Sequence, residues 1–403
     1  MKKRFWCRVG AVLLGVIIGP LSLESQEPSK DLIKPWDRLV NIRSVAFTSD
    51  GRFLAAGAGE TQEPGQVTVW DVKTLKVHFI FKIDKGVPAV AFSRDNKTLA
   101  VASFTEKCFL LDVDTGKVQG TLAGHGKVAR SVAFAPDEQT LAVSSYDGSI
   151  RLWDYRAGKL LQTMPGHTDW VYCVSYSPDG KILASSSADQ SVRLWDASTG
   201  KLLRTWKDYR SILRSVAFDP KGQWLATACW DGTLKLRDPH SNKVWASFSD
   251  IGGVDWVAVH PSGKALAMCR MRSTVQILDI DLREATLAEK KRIQELIAQW
   301  DDDRLGVRDK ASQQLEKLGL LAEPFLSKAQ KDSPSAEVRI RARLLRKLLR
   351  SPEPAVQLQG HRHGVLWGAY SQDGQLFATS GKDGHVLLWD VATYKLKATL
   401  IWP

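Results

Sequence analysis

At 403 residues, with a net charge of +12, the chain is longer than one average domain and strongly basic. Its five cysteines include no CxxC pair, which leaves a thiolate metal site and covalent haem attachment without support. No GxSxG, HExxH, GKS or GKT stretch occurs, so the motif-defined hydrolases, zinc peptidases and phosphate-loop enzymes are set aside, and no cofactor or metal is expected.

The chain opens with MKKRFWCRVGAVLLGVIIGPLSLES, residues 1–25. A basic start, an apolar run from Val9 to Ile18 and then Pro20 have the anatomy of a bacterial-type export signal. The run is short for a membrane span of about 20 residues. We therefore expect an export signal, with an uncleaved anchor as the alternative. Either places the remainder in the periplasm or cell envelope and argues against nucleic acid as a partner. Without this segment, which holds Lys2, Lys3, Arg4 and Arg8 against Glu24, the charge falls to +9. Residues 26–40 read as a linker.

From residue 41 onward two markers recur in phase. One is a strand ending in an apolar or Trp residue followed by Asp: Asp71, Asp112, Asp154, Asp196, Asp238, Asp279 and Asp390, at gaps of 41, 42, 42, 42, 41 and 111. The other ends in Phe47, Phe92, Phe134, Tyr176, Phe218, Val259 and Tyr370. Self-similarity at a fixed period outranks local readings. Residues 171–206 show the unit: VYCVSY, SPDG, KILASSS, ADQ, SVRLWD, ASTG, KLLRTW. Short apolar and aromatic runs between Asp-Gly and Pro-Asp turns are strands, and loops this short pair them antiparallel. One four-stranded sheet cannot bury both faces alone, so the units must stack.

The chain resembles the WD40 repeat family over residues 41–285 and 354–403. GH at 124–125, 166–167 and 360–361 precedes WD at 153–154, 195–196 and 389–390, with 28 residues from His to Trp each time. The resemblance implies an all-β, seven-bladed β-propeller. It also implies a hydrogen-bonded tetrad inside a blade, whose matching residues are His125, Ser145, Asp147 and Trp153, then His167, Ser187, Asp189 and Trp195. His361, Asp383 and Trp389 match in the last blade, with Gly381 in place of the hydroxyl. These His-Ser-Asp groups look like hydrolase triads and are read as the buried blade network. Blades 1, 2, 5 and 6 lack GH, blade 5 carries Arg237 for Trp, and apolar packing is expected to hold them. Cys108, Cys173, Cys229 and Cys269 fall in strands of different blades and are expected to be buried free thiols.

The resemblance further implies that partners dock on the face formed by the loops entering strand 1 and joining strands 2 and 3. Four residues before the aromatic marker, the ring reads Arg43, Pro88, Arg130, Tyr172, Arg214, Asp255 and Leu366. At the second turn blades 2 to 7 read Phe104, Tyr146, Ala188, Trp230, Met271 and Lys382, and Trp170 falls beside Tyr172. Arg, Tyr and Trp are enriched at binding hot spots. The expected site is Arg43, Arg130, Trp170, Tyr172, Arg214, Phe104, Tyr146, Trp230 and Lys382, docking an acidic peptide or protein segment. The competing reading is that each Arg pairs with a carboxylate of a neighbouring blade.

The gap of 111 places an insertion in blade 6. Its outer strand is expected at AVQLQGH, residues 355–361, after a helical insert spanning 286–353. A loop of that length adds roughly 2–3 kcal/mol of closure entropy unless it folds with its ends together. Thr286 and Glu289 have capping-box spacing, and Leu287, Ile293, Leu296, Ile297 and Trp300 form a helical stripe. Asp303 opens a second helix, Pro324 lies early in a third, and Ser333-Pro334 opens a fourth with Val338, Ala342, Leu345 and Leu349 on one side. Val307-Arg308 and Val338-Arg339 repeat at 31 residues, which resembles a pair of HEAT-type units, with a plain four-helix bundle as the alternative. The insert carries 15 Lys/Arg against 11 Asp/Glu. Arg339, Arg341, Arg343, Arg346, Lys347 and Arg350 crowd its last helix and read as a solvated face or an acidic-partner surface. The whole reads as an exported, monomeric protein-interaction scaffold. The alternative is a propeller hydrolase or lyase acting on an anionic polymer in the central channel.

Overall fold

The computed structural model describes residues 40–403 except 250, 271–272, 281, 283–284 and 351–355. The expected export signal, the linker up to residue 39 with its DLIKPWDR segment, and Met271 lie outside the described residues.

Each expected repeat forms one four-stranded antiparallel sheet. We number the sheets 1 to 7 in chain order. Their first, inner strands are Ile42–Phe47, Ala89–Phe92, Ala129–Phe134, Val171–Tyr176, Leu213–Phe218, Val254–Val259 and Val365–Tyr370. Register is the same throughout. A buried aliphatic or Phe on the second strand faces the Trp, Leu or Arg of the third: Leu54 and Trp70, Leu141 and Trp153, Leu183 and Trp195, Phe377 and Trp389. Second strands are buried on both faces because sheets lie against each other on each side. The outer strands instead alternate or lie open to solvent, as in Lys159–Met164.

Inner strands of successive sheets are neighbours, and that of sheet 7 lies against those of sheets 6 and 1. Ser44, Ser131 and Ser215 stitch three of these junctions. Each hydroxyl accepts a backbone N–H from the next sheet, those of Val90 (3.1 Å), Val174 (3.4 Å) and Val257 (3.3 Å). The outer strand of sheet 7, Leu396–Ile401, pairs within its own sheet, so no strand is exchanged between the chain ends among the described residues. Trp402 then packs edge-on against Trp70 of sheet 1, ring centroids 5.8 Å apart.

Sheet 6 is split as the sequence spacing predicts. Its third strand Thr274–Asp279 pairs with Val356–Gln359, Thr274 facing Gln359 and Ile277 facing Val356. Four helices intervene: α1 (Leu287–Ala298), α2 (Leu305–Lys317), α3 (Glu323–Asp332) and α4 (Ala336–Arg350). The Thr286 hydroxyl accepts the Glu289 N–H, and the Glu289 carboxylate accepts the Thr286 N–H at 2.8 Å, completing the capping box. Ile293, Leu296, Trp300, Ala311, Leu315, Leu326, Val338, Ala342 and Leu345 form the helical core. Leu287 and Leu305 do not join it. Each is the first residue of its helix, ahead of the packed turns, and is 84% and 57% exposed. Arg304, without a side-chain cap, takes the N-cap position expected near Asp303. The 31-residue echo has a physical counterpart: the Arg308 guanidinium donates to the carbonyls of Asp302 and Asp303, and that of Arg339 to those of Ser333 and Pro334.

The tetrads require a correction. In sheet 4 the hydroxyl is Ser185, not Ser187. The His167 Nδ1–H donates to Asp189 (2.8 Å), Ser185 Oγ–H donates to His167 Nε2 (2.8 Å), and Trp195 Nε1–H donates to Ser185 Oγ (2.9 Å). These partners fix the tautomer of a neutral imidazole. Burial would raise the Asp189 carboxyl, but the His167 contact and the Ser191 hydroxyl outweigh it and hold the carboxyl well below the usual range. In sheet 7 Thr379 fills the same place, 2.9 Å from both His361 Nε2 and Trp389 Nε1, so the tetrad is complete despite Gly381. Ser145 and Ser187 lie two residues further along the same strand face. There each hydroxyl accepts the N–H of its turn aspartate, Asp147 or Asp189.

In sheet 3 the tetrad position holds Val143. His125 and the Trp153 indole keep the arrangement, ring centroids 5.7 Å apart, but both imidazole nitrogens and the indole N–H are buried without partners. Burial, with the Arg151 charge, pushes His125 down to about 4, so it stays neutral. Sheet 5 is the converse correction: it was expected to rely on apolar packing, yet Tyr209 replaces His and bonds Thr227 at 2.8 Å. Its Arg237 stacks on Trp206 and Tyr209 and pairs with Asp208. Restoring a hydroxyl with Val143→Thr raises unfolding free energy by about 1–2 kcal/mol, because two unsatisfied groups gain partners. Urea unfolding of the two proteins measures this, and a loss of stability would show that the hydroxyl does not reach the rings.

Candidate functional site

Six of the seven rim residues share one cause of their orientation. In sheets 1, 3, 4, 5, 6 and 7 the pairing of the inner strand slips by one residue. The extra residue is Arg43, Arg130, Tyr172, Arg214, Asp255 or Leu366. A β-bulge leaves its extra residue outside the ladder and re-aims the side chain. Sheet 2, where Pro88 precedes the strand, has no such slip.

The bulges bring Arg43, Arg130, Arg214, Asp255 and Leu366 around a narrow cup. Trp256 and Trp367 also line it, stacked with centroids 3.2 Å apart at 18°. The Trp256 indole is fixed by donating to the Gly368 carbonyl at 3.0 Å. Three guanidiniums therefore share one cup with a single lining carboxylate among the described residues.

Their partners differ. Arg43 pairs with Glu60 of its own sheet, donates to the Gly59 carbonyl at 3.1 Å, and lies over Phe104 at 5.2 Å. Arg130 is 7% exposed and donates to the Pro88 carbonyl at 3.3 Å, with Tyr172 5.7 Å away and no carboxylate partner among the described residues. Arg214 is the only one of the three paired across sheets, with Asp255 at 3.5 Å. It is sandwiched between Tyr172 (4.7 Å) and Trp230 (5.1 Å). Burial, helped by the Arg130 charge, lowers the Arg214 pKa, while burial raises the Asp255 carboxyl against the pull of Arg214. The Asp255 Oδ1 accepts the Trp230 indole N–H at 3.1 Å, and its Oδ2 is buried without a hydrogen bond.

Around the cup the aromatics continue outward. Tyr146 stacks on Trp170 at 4.3 Å and 11°, and both meet Tyr172 edge-on. Trp170 and Trp230 are 42% and 38% exposed, whereas Tyr172 and Phe104 are buried. Lys382 is half-buried, tied through its backbone N–H to Gly364, and its charge acts on Asp255. Sequence reasoning missed Trp256 and Trp367. Both fall one residue after a counted rim position, so the bulge, which cannot be seen in one sequence, decides which of the two faces the mouth.

The opposite ends of the inner strands differ. Phe47, Phe92, Phe134, Tyr176, Phe218 and Tyr370 surround a funnel of about 880 Å³. The register of sheet 6 places the start of the helical insert at this end, since Val259 faces Leu266 and Asp279 faces Ala265. Among the described residues no group of three or more His, Cys, Asp or Glu is placed to hold a metal ion, and no helix is long and apolar enough to cross a membrane. Cys108, Cys173, Cys229 and Cys269 are buried free thiols.

Comparison with known families finds the WD domain, G-beta repeat (WD40) at residues 116–154, 158–196, 200–238 and 352–390. No curated protein matches the chain.

Proposed function

We propose that the seven sheets of the chain, which matches the WD40 repeat at four stretches, close into a propeller that serves as a protein-interaction scaffold without catalytic activity. The cup with its Trp170 and Trp230 rim docks an acidic segment of a partner protein. The observation that carries this is the uneven charge of the cup: among the described residues three bulge-aimed guanidiniums surround one carboxylate, and Arg130 has no acidic partner. An incoming Asp or Glu supplies the missing negative charge, and charge-assisted bonds to arginine are among the strongest available. The two exposed indoles add the contact area typical of hot spots. Contact between the inner strands of sheets 7 and 1 supports closure of the ring. The basic, apolar start of the sequence supports export, with the scaffold working in the cell envelope as a monomer. The helical insert, read as HEAT-like, offers a second surface at the other end.

The hydrolase reading draws less support. A paired-carboxylate mechanism needs two acids, and among the described residues Asp255 is the sole carboxylate lining the cup.

Charge reversal at Arg130 or Arg214 is a poor test because both are packed into the fold. Trp170→Ala and Trp230→Ala, at exposed positions, are cleaner. A fluorescently labelled peptide of alternating Asp and Ser is the probe, with an Asn/Ser peptide as control. Each variant is expected to weaken the Asp peptide at least tenfold, about 1.4 kcal/mol, with the thermal midpoint unchanged. Equal binding of both peptides, or none, rejects the docking reading.

A further inference from the structure

The helical insert has a finished core and an unfinished outer face. On α4 the side chains of Val338, Ala342 and Leu345 are buried in that core. Ile340, Leu344 and Leu348, four residues apart, form a separate stripe and are 54%, 61% and 48% exposed. At 100° per residue these three point within one narrow sector, and residues four apart stand one above another along it. Exposed aliphatics scattered singly need no explanation, but an aligned row on one helix does.

The charges beside the stripe have been sorted. Arg341 is engaged by Glu337 (2.6 Å) and Asp309 (3.0 Å), and Arg346 by Glu323 (2.9 Å) and Gln330. Arg339 is spent on loop carbonyls. Arg343 and Lys347 lie next to the stripe on its other flank, both exposed, with no acidic partner among the described residues. The row is thus an aliphatic seam edged by two uncompensated cations. The helix carrying it is held in place, since α4 packs along α3 and touches the outer strand of sheet 5.

We propose that this seam docks an amphipathic helix of a partner protein that carries aliphatic residues at helical spacing and Asp or Glu along one edge. Such a helix buries the seam and neutralises Arg343 and Lys347, which is the helix-on-helix form of recognition. A second copy of this chain fits poorly. Antiparallel pairing sets Arg343 and Lys347 against their own counterparts, and parallel pairing sets them against Arg341, whose Glu337 is already engaged. An anionic bilayer fits poorly too. The Glu337 carboxylate falls beside the stripe and would enter the lipid interface with it, and no exposed aromatic accompanies the three aliphatics. The proposal rests on the scaffold reading only in supposing a second partner, and it makes no use of the cup.

The test uses the full chain and a pair of synthetic helical peptides with Leu at coiled-coil seam positions, one edged by Glu and one by Lys, read by fluorescence anisotropy. The Glu-edged peptide is expected to bind and the Lys-edged peptide not. Leu344→Asp should weaken binding at least tenfold, and R343E with K347E should reverse the preference to the Lys-edged peptide. Because all three positions are exposed, thermal midpoints should stay within error. Trp170→Ala should leave binding of both peptides unchanged, which separates this site from the cup. Equal affinity for both peptides overturns the proposal. So does L344D-sensitive binding to vesicles of phosphatidylglycerol and phosphatidylcholine without peptide binding, or L344D-sensitive dimerisation in sedimentation.

Discussion

Asp255→Ala is expected to lower the unfolding free energy by about 3–5 kcal/mol, the range for removing one partner of a buried ion pair. The Asp255 side chain is 2% exposed and that of Arg214 17%. Without the carboxylate, Arg214 and Arg130 share a cup with no remaining negative lining group among the described residues, and the Trp230 indole loses its acceptor. Asp255→Asn keeps an acceptor for Trp230 and removes only the charge, so its loss should be smaller. Both changes should tighten the hold on an acidic peptide, since they remove the group that competes for Arg214. Urea unfolding and peptide anisotropy on the same two variants separate the effects. A stability loss below about 1 kcal/mol, as for an exposed pair, would mean that solvent screens the cup.

Trp389→Ala is expected to cost about 3–5 kcal/mol, as for other buried aromatic truncations. Trp153→Ala should cost about 1 kcal/mol less, the net worth of one hydrogen bond. The two indoles are buried alike, at 4% and 5% exposure, and each faces an apolar residue of the second strand. They differ in that Trp389 Nε1–H reaches Thr379, whereas Trp153 Nε1–H has no partner beside Val143. Equal losses would show that the hydroxyl contributes nothing beyond packing.

The repeat was readable because each strand is short and its turns are chemically marked. Asp71, Asp112, Asp196 and Asp390 accept the N–H of Thr74, Thr115, Thr199 and Thr393, so the turn writes itself into the sequence. The split of sheet 6 was readable for the same reason: a missing outer strand leaves a countable gap, and Val356–Gln359 fills it. The tetrad hydroxyl was not, because alternation along a strand makes residues two apart equivalent. In ASSS, residues 184–187, Ser185 and Ser187 both point to the correct face. Sheet 5 was misjudged because Tyr209 and Arg237 do the work of His and Trp with different side chains. At the cup, counting from the aromatic marker found the bulge residues but could not see that they were bulges. Nor could it tell that Trp170 stays open while Phe104 is covered.

The position of the helices within sheet 6 has an architectural corollary. They leave and rejoin at the junction of third and outer strands, and the six other sheets close that junction with a short turn: Asp71 to Lys76, Asp112 to Lys117, Asp154 to Lys159, Asp196 to Lys201, Asp238 to Lys243 and Asp390 to Lys395. The inner and second strands, which carry the contacts between sheets, take no part in these turns. Each is thus a socket into which a foreign folded module with neighbouring ends could be spliced, so the chain can be regarded as a chassis with six vacant bays and one already furnished.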